Sequence, residues 1–131
     1  MKKELQDKLY ENYPKIFRQK DLSMHETCMN WGICTGDGWY TIIDALCSSL
    51  QFNIDYNKQP QIEAVQVKEK YSTLRFYVQG ATAEQYAVIS FVEAFSSKVC
   101  EECGTMNNVT QNKDGWMQTL CNDCRELQRK K

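Results

Sequence analysis

Two pairs of cysteines near the C-terminus constrain the fold of this chain more than any other feature. The pairs are Cys100-x2-Cys103 and Cys121-x2-Cys124, and 17 residues separate Cys103 from Cys121. Two such pairs joined by a short polar segment are typical of a tetrahedral zinc site with four thiolate ligands. Four protein ligands leave no open position for a substrate, so such a site stabilises structure. We therefore expect one structural Zn²⁺ on these four cysteines.

The residues around the cysteines predict a C-terminal module, 99–131, packed on an α+β domain formed by 1–98. Gly104 permits the sharp reversal of a zinc knuckle, and Asp114-Gly115 indicates a turn between the two pairs. If 125–131 is helical, the last two ligands lie at a helix start, as in a treble clef. If that segment is frayed, the unit is a zinc ribbon. The sequence leaves both forms open.

The composition is that of a globular chain. Of 131 residues, 42% are hydrophobic and 25% are charged, and the formal net charge is −1. That near-neutral balance argues mildly against a non-specific nucleic-acid binder. No stretch approaches the roughly 20 apolar residues of a membrane span. The odd number of cysteines, seven, suits a reducing compartment, so we expect a cytoplasmic protein without a membrane anchor.

Apolar periodicity predicts an α+β fold, in which three helices pack on a small antiparallel hairpin. The helices are expected over 4–13, 39–50 and 82–97, the strands over 62–68 and 73–79, and a loop over 53–61. The first strand changes phase between Ala64 and Val65, which indicates a β-bulge. Residues 69–72 are expected to form the turn.

Two helix starts and one buried face follow from local patterns. Asp37 is placed to be the N-cap of the second helix, and Thr82-x-x-Gln85 resembles a capping box at the third. The buried face of the third helix is expected to consist of Val88, Phe91, Val92, Phe95 and Val99. The run Gly36-Asp37-Gly38-Trp39 is interpreted as capping plus a tight turn rather than as an anion cradle.

A second metal site is the less favoured interpretation of the remaining cysteines. His25, Cys28 and Cys34 can supply three ligands, completed by Cys47. The alternative is that His25 lies in a loop and that the three thiols pack as small hydrophobic groups. Cys47 falls in the apolar stripe of the second helix, which favours that alternative.

The hairpin is the candidate contact surface. If the alternate apolar residues face the helices, then Lys68, Lys70, Arg75 and Tyr77 share the opposite face. A basic face with aromatic residues suits a protein partner, and it also suits phosphates and stacked bases. An ordinary solvated sheet face has the same composition.

Three sequence blocks together resemble a group of small uncharacterised proteins encoded by bacteriophages and prophages. The blocks are Gly36-Asp37-Gly38-Trp39 with Ile42-Ile43-Asp44-x-Leu46-Cys47; the run from Val67 to Tyr77; and Cys100-Glu101-x-Cys103-Gly104 with Gly115-Trp116-x-x-Thr119-Leu120-Cys121-x-x-Cys124. The resemblance covers about residues 31–124 and implies a phage or prophage setting.

The favoured hypothesis is a non-enzymatic, zinc-stabilised binding protein that engages a host protein. The alternative is a nucleic-acid-binding module that uses the same face together with the basic C-terminus, Arg125, Arg129, Lys130 and Lys131.

Overall fold

The computed structural model describes residues 1–112 and 115–130. Four α-helices and five strands lie within them: α1 Lys3–Asn12, β1 Ile33–Cys34, α2 Tyr40–Tyr56, β2 Glu63–Lys70, β3 Thr73–Gln79, α3 Ala83–Phe95, β4 Val109–Gln111, β5 Thr119–Cys121 and α4 Asn122–Arg129. The α+β class is confirmed. The expected number of three helices is wrong for these residues, because the segment after Cys121 forms a fourth.

The main sheet has three strands in the order β1-β2-β3, and it is not purely antiparallel. β1 runs parallel to β2, with Ile33 opposite Val67 and Cys34 opposite Lys68. The sequence analysis expected only the β2–β3 hairpin. A strand of two residues is too short to carry an alternating pattern, so β1 leaves no periodic signal in the sequence.

The β2–β3 hairpin has the expected bulge and a tighter turn than expected. Its register shifts between Ala64 and Gln66, which confirms the bulge. The strands extend to Lys70 and resume at Thr73, so only Tyr71 and Ser72 form the turn. Both have positive φ, +52° and +69°, as a type I′ turn requires.

α2 is longer than the sequence analysis expected. Its buried stripe of Ile43, Leu46, Cys47 and Leu50 matches the predicted one, but the helix continues to Tyr56. The predicted loop is therefore wrong over its first residues. The polar residue Asn53 does not break the helix, because its side-chain amide donates a hydrogen bond to the Ser49 carbonyl one turn earlier, at 2.9 Å.

α3 begins as predicted but presents a different face to the core. The Thr82 hydroxyl accepts from the Gln85 backbone N–H at 3.1 Å, and the Gln85 side chain accepts from the Thr82 N–H at 2.9 Å, which confirms the capping box. Phe91, however, is 70% exposed, whereas Ile89 is buried.

The rotation of α3 is fixed by hydrogen bonds to the edge of β3. The Glu93 carboxylate accepts from the Phe76 N–H at 2.8 Å, and the Ser96 hydroxyl accepts from the Leu74 N–H at 2.9 Å. α3 is apolar on almost every side, so periodicity alone does not identify the buried face. The predicted burial of Phe91 and Phe95 is wrong for this reason.

The apolar interior consists of two clusters. The larger one joins α2, the sheet and α3 around Phe17, Trp39 and Phe76. The smaller one lies in the C-terminal module around Cys100, Leu120 and Cys121. In the described part of the chain, no helix is long and apolar enough to cross a membrane.

Candidate metal centre

The four predicted cysteine ligands lie together. The Sγ atoms of Cys100, Cys103, Cys121 and Cys124 are all within 4.8 Å of one another. Cys103 Sγ and Cys121 Sγ are 3.8 Å apart. Cys100 and Cys121 are buried, and Cys103 reaches the surface. This cluster can hold a metal ion.

The first pair is positioned by a tight backbone loop. The Cys100 N–H donates to the Thr105 carbonyl at 2.8 Å, and the Gly104 N–H donates back to the Cys100 carbonyl at 2.9 Å. Gly104 has φ +83°, a conformation that glycine adopts at little cost. The loop brings the two thiols of this pair to the same side of the chain.

The second pair is positioned by the junction of β5 and α4. Cys121 ends β5 and is the N-cap of α4, and its Sγ accepts from the Cys124 N–H at 3.4 Å. Segment 125–131 is therefore helical as far as Arg129, while Lys131 lies outside the described residues. The last two ligands lie at a helix start.

A short hairpin joins the two pairs. β4 and β5 are antiparallel, with Val109 opposite Cys121. Gly115 has φ +71°, in keeping with the predicted turn, but Asp114 lies outside the described residues. The predicted strand over 116–120 starts later, at Thr119.

The pKa values of two of the thiols, Cys100 and Cys124, shift in opposite directions. Burial raises the pKa of the Cys100 thiol, but backbone N–H groups of Cys103, Cys121 and Glu102 outweigh burial and lower that pKa to about 7. Burial, followed by the neighbouring thiols, raises the pKa of Cys124. Cys100 therefore becomes a thiolate ligand more readily than Cys124 does.

The Gly36–Trp39 turn packs directly on the loop of the first cysteine pair. The Gly38 N–H donates to the Glu101 carbonyl at 2.7 Å, and the Gly36 N–H donates to the Glu101 carboxylate at 2.9 Å. The Trp39 indole N–H donates to the Val99 carbonyl at 2.9 Å. A Cβ at Gly38 would lie 2.1 Å from the Cys100 carbonyl oxygen, so this contact requires glycine.

The predicted capping role of Asp37 is wrong. Its carboxylate accepts from the Lys2 backbone N–H at 2.7 Å, and it makes no side-chain cap with α2. A single turn of 3-10 helix over Asp37–Trp39 leads into α2 instead. The role of this turn as a contact for the loop of the first cysteine pair was not predicted from the sequence. Gly36 and Gly38 indicate that another segment comes close to the backbone here, but they do not identify that segment.

Two further contacts tie the module to the main domain. The Thr119 hydroxyl donates to the Ser72 carbonyl at 2.5 Å, and the Gln111 side-chain amide donates to the Ser97 carbonyl at 2.8 Å. The metal cluster is therefore connected to the hairpin turn and to the end of α3.

The second metal site is not formed. Among the described residues, the cluster at Cys100 to Cys124 is the only group of three or more ligand side chains close enough to share an ion. Cys34 Sγ lies 3.4 Å from the Trp31 carbonyl, to which it donates. Cys47 is fully buried in the core, and burial raises its pKa well above the usual value. The less favoured interpretation of His25, Cys28 and Cys34 as ligands is thus not supported. Of the favoured alternative, the packing of the thiols holds for Cys47 but not for Cys28 and Cys34, which are exposed.

The four residues of the predicted contact surface occupy one face of the hairpin. Lys68 is opposite Arg75, and Tyr77 is opposite Gln66. Val67 and Phe76, which alternate with them, are buried on the other face. Lys70 is exposed, with its Nζ 5.5 Å from the centre of the Tyr71 ring. We call Lys68, Lys70, Arg75 and Tyr77 the hairpin face.

Comparison of the chain with protein-family models, with curated proteins and with solved structures finds no significant match in any of the three. The resemblance to phage proteins therefore stays a prediction, and function has to be argued from the site itself.

Proposed function

We propose that this chain is a non-enzymatic, zinc-stabilised binding protein of phage or prophage origin that engages a host protein in the cytoplasm through the hairpin face. The metal centre supports the fold, and the hairpin face makes the contact. The observation that carries the proposal is that the cations on that face lack acidic partners among the described residues.

The cations of the hairpin face have no ion-pair partner in the part of the chain that the structure describes. In residues 1–112 and 115–130, Lys68, Lys70 and Arg75 form no ion pair. Arg75 Nε is buried and has no hydrogen-bond acceptor. Lys68 and Arg75 are like charges directly opposite one another, an arrangement that destabilises a sheet. A partner that supplies acidic groups to this face relieves the repulsion.

Zinc is the metal that this set of donors favours. Four sulfurs at about 2.3 Å from one tetrahedral ion lie about 3.8 Å from each other, which is the spacing of the Cys103 and Cys121 sulfurs. A tight loop, a hairpin and a helix start supply the four ligands, so we assign the module to the treble-clef form rather than to the zinc ribbon.

The proposal is tested by capture of partners from host lysate. Lys68→Glu with Arg75→Glu is expected to abolish capture without lowering Tm, because the double change replaces one like-charge pair with another and touches no buried apolar group. The matched control is Lys8→Glu with Lys15→Glu, which changes the net charge equally at exposed positions of the N-terminal segment. Equal capture by both double variants would refute the surface assignment.

Nucleic-acid binding is the second candidate, and the contact between Lys70 and the Tyr71 ring favours it. The basic C-terminus supports this candidate less than expected, since the Arg125 guanidinium donates to the Thr110 carbonyl at 2.7 Å. Nuclease treatment of the lysate separates the two functions. Capture that disappears with nuclease and falls steeply with salt would favour nucleic acid over protein.

A further inference from the structure

A cleft separates the turn of the main hairpin from the segment that leads into β5. Its volume is about 440 Å³, and its lining residues are Glu69, Lys70, Tyr71, Gly115, Trp116 and Met117. Tyr71 is 69% exposed and Trp116 is 76% exposed. Two exposed aromatic rings that line one cleft contribute little to the core of this chain. They are typical of a site that receives an apolar group.

The backbone holds Tyr71 in this cleft against its own preference. Tyr71 has φ +52°, and a bulky residue is less stable than glycine in this left-handed region. The turn is fixed from the other side, because the Ser72 N–H donates to the Glu69 carboxylate at 2.8 Å and the Ser72 carbonyl accepts from Thr119. The ring is left largely in solvent, where its contact with Lys70 Nζ, 5.5 Å from the ring centre, leaves most of its surface uncovered.

The charges beside the cleft define the chemistry of its occupant. Lys70 lines the cleft, and Lys68 and Arg75 lie beside it along the hairpin face. Neither Lys68 nor Arg75 forms an ion pair with the other described residues. An occupant with acidic residues next to an apolar one therefore matches this region. Glu69 also lines the cleft. Its carboxylate repels a nucleic acid, which has a phosphate at every nucleotide, more than it repels a peptide whose acidic residues are spaced apart. This favours a peptide segment as the occupant.

We propose that this cleft binds a large apolar side chain of a partner protein, within a short segment whose neighbouring residues are acidic. This inference rests on the proposed function and names the partner chemistry. The apolar side chain packs between Tyr71 and Trp116, and the acidic residues reach Lys70, Lys68 and Arg75.

The metal centre controls whether the cleft exists. Trp116 and Met117 precede β5, which ends in the ligand Cys121, and Thr119 of the same strand holds Ser72. Removal of the metal frees this strand, so one wall of the cleft is lost. Binding at the cleft is therefore expected to require the metal.

The test is a selection of short random peptides on the zinc-loaded protein. The expected result is an enriched motif with one aromatic or large aliphatic residue beside Asp or Glu. Its affinity falls about tenfold or more in Trp116→Ala and after zinc chelation. Trp31→Ala is the matched control, since Trp31 is another exposed tryptophan, at 69%, outside the cleft, and it is expected to leave affinity unchanged.

A second variant separates binding from folding. Tyr71→Gly places glycine at a left-handed position, so Tm is expected to hold or rise while affinity for the selected peptides falls about tenfold. Enrichment of no motif, equal binding by Trp116→Ala, or tighter binding of oligothymidine than of the peptides would overturn the proposal. Loss of host-protein capture in the Lys68→Glu, Arg75→Glu variant but not in Trp116→Ala would overturn this inference and leave the proposed function standing.

Discussion

The main domain and the C-terminal module of this chain are held together by different means. Among the described residues, the main domain contributes seventeen of the eighteen side chains of one buried cluster, the other being Val99, whereas the module's own cluster has three, two of which are cysteines of the candidate metal site. A unit with so few buried apolar groups does not offset its own loss of conformational entropy. We infer that burial stabilises the first region, and we expect a metal on the four cysteines to stabilise the second.

The two regions nevertheless meet at a specific contact. The Gly36–Trp39 turn donates to the backbone and side chain of Glu101, and Thr119 holds the hairpin turn at Ser72. The module thus completes the main fold as well as depending on it. Variants in each region, and in the contact between them, test this division.

The largest effect is expected from loss of a metal ligand. Cys103→Ser removes one of four thiolates and is expected to abolish tight zinc binding, whose contribution to folding is on the order of 10 kcal/mol. Amide hydrogen exchange is then expected to lose protection over β4, β5 and α4 and to keep it in α2. Cys28→Ser, at an exposed cysteine outside the cluster, is the control.

Two outcomes of that experiment would contradict the comparison. If protection is lost throughout α2, the main domain depends on the metal as much as the module does. If protection persists in the module, the metal is dispensable for its fold.

The next largest effect is expected at the contact between the regions. In Gly38→Ala, the new Cβ would lie 2.1 Å from the Cys100 carbonyl oxygen and 2.5 Å from the Gly104 nitrogen, so backbone must move. The expected loss is on the order of 3 kcal/mol in the free energy of urea unfolding. Gly80→Ala is the control, because the nearest atom is 3.9 Å away and only its positive φ is penalised. An equal or larger effect at Gly80 would show that the contact is not tight.

A comparison within one helix distinguishes the two sides of α3. Ile89→Ala is expected to destabilise the main domain by about 2 to 5 kcal/mol, because it leaves a cavity in the core. Phe91→Ala is expected to change stability by less than about 0.5 kcal/mol, since the ring is largely exposed. Thermal unfolding of both variants measures the difference, and a larger loss at Phe91 would contradict the rotation assigned to α3.

The smallest effect concerns an ion pair on the main domain. Hydrogen bonds from Arg18 and Gln19 lower the pKa of Glu63 below 4.5. The carboxylate therefore contributes stability that is present above pH 4.5 and is lost as the pH falls through its lowered pKa. Glu63→Gln is expected to have a lower Tm than the parent at pH 7 and the same Tm at strongly acidic pH. Glu11→Gln, at an exposed position, is the control, and a Tm difference that persists in acid would contradict this account.

Local patterns were sufficient to predict the features that depend on neighbouring residues. The cysteine spacing predicted the metal cluster, the stripe through Leu46 predicted α2, and Thr82 with Gln85 predicted the start of α3. The helix and its capping box depend on residues close together in the chain, and the cysteine spacing is one that few kinds of structure other than a metal site have.

The features that depend on distant contacts were not predictable. The side of α3 that is buried is set by hydrogen bonds to β3, and the role of Gly38 is set by a loop more than sixty residues later in the chain. β1 is a strand only because it lies beside β2. In each case the sequence contains a necessary residue but not the identity of its partner.

The central claim is that one metal ion on four cysteines completes this fold. Native mass spectrometry of the zinc-loaded protein tests it most directly, because it counts ions per chain without unfolding the protein. The account predicts one zinc per chain in the parent and none in Cys103→Ser. Two zinc ions per chain, or one zinc that survives the Cys103→Ser change, would contradict it.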